Sequence, residues 1–150
     1  LIGTLAGPIE RLELIVTHIV LDTSTSGEAS DPSSNRRGAA LSREHLRLAE
    51  SRPHDLQAAL SPLLALIARQ PSDAMAAGSV RNGNPQRFAA LIYNLVSTTV
   101  HTELLSQQSA RPDRGHQGQL AEDVWEFCRR AIVAQPSVTA SRTAVPGVST

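Results

Sequence analysis

The sequence predicts an all-α protein: an irregular bundle of five or six helices with a flexible polar loop (22–38) and a disordered C-terminal tail (136–150). Three observations lead there. Aliphatic side chains recur three and four residues apart through most of the chain, the period of a helix rather than of a strand. Pairs such as Ser61-Pro62 and Asn84-Pro85, a cap residue followed by a first-turn proline, cut the chain into pieces of helical length. Apolar residues make up 41% of the chain but aromatics only 3%, so alanine and aliphatic side chains must fill the interior. At 150 residues the chain suits one core, and residues 1–135 read as a single helical domain.

Taken in order, the first helix opens at Pro8 and carries Ile9, Leu12, Ile15, Val16, Ile19 and Val20 at helical spacing. The stretch 14–21 is also rich in β-branched residues, so a strand is the alternative there. Residues 22–38 hold no large apolar side chain and abound in Ser, Asp, Gly and Pro, which predicts a loop too poor in burial to offset its ordering entropy. Ser42 then caps a short helix with Leu46 and Leu48 that stops before Pro53. Pro53 opens another with Leu56 and Leu60, and Ser61-Pro62 predicts a restart or kink ahead of Leu63, Leu64, Leu66 and Ile67. Ser72-Asp73 precedes a small alanine-rich helix over 74–80, ended by the turn Asn82-Gly83-Asn84-Pro85. The longest helix runs from Pro85 to about Ser106, with apolar residues from Phe88 to Leu104 around more than half its circumference. A second polar break (107–118) leads to the last helix, 119–134. Its Glu122 and Asp123 suit a helix N-terminus, its Arg129 and Arg130 a C-terminus, and Leu120, Val124, Phe127, Cys128, Ala131 and Ile132 form the expected buried stripe.

Charge and residue usage exclude several functions. There are 14 basic and 14 acidic side chains, giving a net charge of zero, and every basic residue is arginine. A neutral chain lacks the basic stripe that phosphate neutralisation requires, which argues against nucleic-acid binding by this chain alone. The absence of lysine removes the P-loop cation and Schiff-base or pyridoxal phosphate attachment. Either a GC-rich coding composition, which the abundant alanine supports, or selection against lysine modification would produce it. The apolar stretch 14–21, interrupted by Thr17 and His18, is far short of a membrane span, and no basic-then-apolar leader is present, so an intracellular, cytoplasmic protein is expected. Leu1 in place of methionine points to a piece of a longer protein.

Chemistry-bearing motifs are few. Cys128, the single cysteine, sits on an apolar stripe where burial would suppress its thiolate. His18, His45, His54, His101 and His116 include no i,i+4 pair, so no metal is expected, and GxSxG, GxGxxG and P-loop patterns are absent. No cofactor and no catalytic residue is assigned. The clusters Arg36-Arg37, Arg111 with Arg114, and Arg129-Arg130 could grip oxyanions or an acidic partner, although solvated charge is the simpler explanation.

Three functions follow. The first is a non-catalytic protein–protein interaction or regulatory module, meeting another protein or itself. Trp125, towards the edge of the stripe, is its candidate anchor, with simple core packing as the alternative for that side chain, and Phe127, Arg129 and Arg130 lie beside it. The second is a small-molecule-sensing or dimerisation domain of a transcription regulator, with a pocket formed by Tyr93, Leu95, Thr99 and His101. The third is an enzyme with a dispersed site, which requires residues among His45, His54, His101 and Glu103 to converge in a cleft.

Overall fold

A computed structural model describes residues 6–24, 32–106 and 114–135. Five helices make up the described chain: α1 (Pro8–Ser24), α2 (Pro32–Ser51), α3 (Pro53–Ala76), α4 (Pro85–Ser106) and α5 (Arg114–Ile132). The expected all-α bundle is the observed fold, and α1 and α4 each pack against all four of the other helices. The buried cluster draws on α1, α3, α4 and α5, with Leu12, Val16, Ile67, Ile92, Val96 and Trp125 among its members.

Helix α1 settles the choice between helix and strand over 14–21. Leu12, Val16 and Val20 are fully buried at four-residue intervals, and Ile9, Ile15 and Ile19 pack beside them. One continuous stripe against α3, α4 and α5 outweighs the β preference of the branched side chains.

Helix boundaries differ from the sequence reading: α1 runs on to Ser24, into the loop expected over 22–38, and three larger differences follow. Helix α2 begins at Pro32 rather than Ser42, so 32–38 extends a helix where a loop was expected. Proline suits a first helical position, and adding residues to an existing helix costs far less than nucleating one. Residues 25–31 of that expected loop, and the expected tail 136–150, lie outside the described residues. Helix α5 likewise begins at Arg114, inside the expected break over 107–118.

The third difference is α3, which runs unbroken through Pro62 and Pro71 and absorbs the start of the alanine-rich helix expected over 74–80. An interior proline costs ~3 kcal/mol through a lost hydrogen bond and crowding. At Pro71 the burial of Ile67, Ala68, Pro71 itself and Ala74 offsets that cost. At Pro62 the surroundings are exposed, so water reaches the carbonyl of Ala58 that the ring leaves without a partner.

Helix α3 ends on Gly78, whose φ of 76° is left-handed. The Gly78 N–H donates to the Met75 carbonyl at 3.0 Å and the Ser79 N–H to the Ala74 carbonyl at 2.9 Å, the paired closure of a Schellman turn. The chain then clips onto the end of α5: Arg81 N–H donates to the Ile132 carbonyl at 2.9 Å, and Ala134 N–H to the Ser79 carbonyl at 3.1 Å. Val80 and Val133 form the resulting isolated antiparallel bridge. Asn84 caps α4 as expected, its side-chain oxygen accepting from the Arg87 N–H at 3.1 Å.

A polar clamp that the sequence did not announce joins α1 to α3. Gln70 is only 4% exposed. It accepts from Arg11 Nε at 2.9 Å and donates to the Leu66 carbonyl at 3.1 Å. The same guanidinium reaches the Ala6 carbonyl at 3.0 Å and Asp73 at 3.5 Å. Each buried polar atom of Gln70 is thereby paired, which is the condition for tolerating it inside.

Candidate functional site

Helix α5 presents two overlapping apolar stripes, and of the residues expected inside, Val124, Cys128 and Ile132 are buried whereas Phe127 and Ala131 are exposed. Ala121, Val124, Trp125, Cys128 and Ile132 point inward. Phe127, expected inside, is 66% exposed, while Trp125, expected at the edge as an anchor, is 6% exposed. The cause is helical geometry. Residues 121, 125, 128 and 132 repeat at four, three and four, and α1 lies along that stripe. Phe127 and Ala131, further round the helix, turn instead toward the margin between α4 and α5.

On that margin lies an apolar groove of about 280 Å³, walled by Leu91 and Leu95 of α4 and by Phe127 and Ala131 of α5, with Phe88 and Cys128 at its base. Leu91 is 60% exposed, so two large apolar side chains stand in solvent on opposite walls of one groove. Arg81 closes one end. Its Nε donates to the Ala131 carbonyl at 2.8 Å, and its guanidinium carbon lies 4.6 Å from the centre of the Phe88 ring.

Arg129 and Arg130 are engaged within their own helix. Arg129 makes two hydrogen bonds to Glu126, at 2.8 and 2.9 Å, and Arg130 makes one at 2.6 Å. The hydrogen bonds from Arg129, then those from Arg130, hold the Glu126 carboxyl down at about 2. An acidic partner would have to compete with that carboxylate for either guanidinium. Glu126 and Arg129 also line a second concavity, a cleft of about 580 Å³ between α1 and α5 whose walls include Glu13, Thr17, Leu21, Glu122 and Trp125. Trp125 thus joins the core and the wall of this cleft.

The four residues of the sequence-derived pocket do not gather at one place. Leu95 lines the apolar groove. Tyr93 and His101 belong to another face of α4, four residues either side of Ser97. Ser97 Oγ lies 3.1 Å from His101 Nε2 and shares a hydrogen bond with Tyr93. Thr99 is half-buried two residues from His101 and so on a different side of the helix.

Of the residues whose convergence an enzyme would require, His45 and His101 do meet. Their ring centres are 4.8 Å apart at 43°, a ring contact rather than a hydrogen-bonded dyad. Glu103 instead pairs with His116 of α5 at 2.9 Å, and His54 sits exposed at the start of α3. Burial pushes the Cys128 thiol up to about 11, far from the range of a working nucleophile. Among the described residues no group of three or more His, Cys, Asp or Glu is gathered as a metal would need, and no helix is long and apolar enough to cross a membrane. The side chains of Arg36, Arg37, Arg111 and Arg114 lie outside the described residues.

The sequence missed the groove because it assigned Phe127 to the core. The signal available was the second apolar stripe through Leu120, Val124, Phe127 and Ala131, which one flanking helix could not cover together with the first. No protein-family model matches the chain, and no curated protein aligns with it significantly.

Proposed function

We propose that the chain is a non-catalytic helical interaction module that docks a second copy of itself through the α4–α5 groove. The observation that carries this reading is the pairing of a knob and a hole on one face: Phe127, 66% exposed, stands on the wall of the groove it would fill in a partner. An interface related by a twofold axis needs both halves of the contact within a single patch, and this patch has them. Charge raises no obstacle, because 14 basic against 14 acidic side chains leave two copies without net repulsion. An aromatic anchor flanked by leucines is also the kind of side chain on which binding energy concentrates.

Light scattering with Phe127→Asp and Leu91→Asp tests the proposal. The unaltered chain should give a dimer mass at micromolar concentration and each variant a monomer mass with undiminished helix content. A monomer at every concentration, or a dimer indifferent to both substitutions, overturns it. Binding of a different protein that Phe127→Asp abolishes would keep the groove and replace the occupant.

A second reading, small-molecule sensing, has one observation in its favour: the α1–α5 cleft has the volume of a ligand site and Trp125 in its wall. Trp125 is the single tryptophan, so its emission across a panel of small cations, anions and neutral compounds is the test. A saturable shift supports this reading, and a flat response removes it.

A further inference from the structure

Among the described side chains of helix α2 there is no buried anchor. Over residue 40 and residues 43–51, where its side chains are described, none is buried; His45 and Leu48 are half-buried and the others face solvent. The stretch 43–51 therefore contributes little hydrophobic energy opposing its own release from the bundle. Its aromatic contact with the bundle is the His45–His101 ring pair at 4.8 Å, with His101 fixed from the other side by Ser97 at 3.1 Å. Two neutral imidazoles can pack at that distance, whereas two imidazoliums would repel across a half-buried gap.

We propose that the His45–His101 pair is a pH-operated latch: with both rings neutral α2 lies on α3 and α4, and when both are protonated α2 is released and uncovers the surface beneath it. The latch is independent of the dimer reading, because the α4–α5 groove lies away from α2.

Several charged groups of the described residues lie on the elements around the pair. On α2, Arg43, Glu44 and Arg47 flank His45, and Glu44 and Arg47 lie 3.9 Å from each other. Helix α3 carries no titratable side chain between Asp55 and Arg69. On α4, Tyr93 joins Ser97, and burial raises its phenol from the usual 10.0, so it stays neutral. Glu103 is bonded to His116 of α5, and at the far end of α1 His18 pairs with Asp22 at 3.7 Å. Desolvation, then the charge of His45, lowers His101 from its usual 6.5. A folded-state value below the unfolded one stabilises the closed form fully above 6.5, and that contribution is lost as pH falls through and below it.

Hydrogen exchange of the full chain at pH 8 and pH 5, corrected for intrinsic rates, tests the latch. Amides 40–51 should lose severalfold protection relative to α4 at the lower pH. His45→Gln and His101→Gln should each remove the difference, and His45→Arg should open α2 already at pH 8. Protection of α3 and α4 in the same samples reports that each variant is folded. Unchanged α2 protection between the two pH values, or a loss that persists in both glutamine variants, overturns the proposal.

Discussion

Trp125 and Phe127 are two residues apart on α5 and do opposite work. Trp125 is enclosed by the core and backs onto the α1–α5 cleft, whereas Phe127 stands free on the groove wall. Truncating each to alanine under dilute, monomeric conditions should separate them by denaturant melts. Trp125→Ala should cost about 3–5 kcal/mol through lost burial and the hole left behind. Phe127→Ala should stay within about 0.5 kcal/mol, as exposed positions do. Equal losses would mean that Phe127 is buried in solution. The sequence could not rank the two, because residues 120, 124, 127, 131 and residues 121, 125, 128, 132 both make a good helical stripe. Which one is buried depends on where α1 lies, a tertiary fact. Cys128 was legible because it sits at the heart of one stripe and borders the other. The Arg11–Gln70–Asp73 clamp was not, since its members come from helices separated by more than fifty residues.

At the level of elements, capping chemistry was the readable part. Asn84 and Pro85 launch α4 where the sequence places them, and the apolar spacing located every helix that has buried residues. Proline misled at one position: Pro62 reads as a restart or kink, yet α3 continues through it and through Pro71. The start of α2 at Pro32 was hidden for the opposite reason, because a polar helix that extends a neighbouring turn carries no stripe to detect. Gly78 sets the true end of α3. A Cβ there would meet nothing within 4 Å, so crowding does not arise and the cost of Gly78→Ala is that of the left-handed backbone alone. Thermal or denaturant unfolding should show a loss of about 1–2 kcal/mol. A neutral effect would mean that the Schellman closure is not formed in solution.

The whole molecule is a small bundle in which α1 and α4 touch every other helix, with an apolar groove on one margin and, on another face, a helix whose described side chains are all outside the core. Its neutrality, built from arginine and acid alone, places no electrostatic penalty on pairing with itself. Fold class followed from spacing and caps because both act within a few residues. The groove did not, because it exists only where two helices leave a gap between them. The most direct measurement of the docking claim is an isotope-filtered NMR experiment on a mixture of labelled and unlabelled chains, reading contacts between protomers. The predicted result is intermolecular contacts from the Phe127 ring to the methyl groups of Leu91 and Leu95, both of which line the groove. A dimer whose contacts arise from another face, or no intermolecular contact at concentrations where the chain is dimeric by mass, would contradict it.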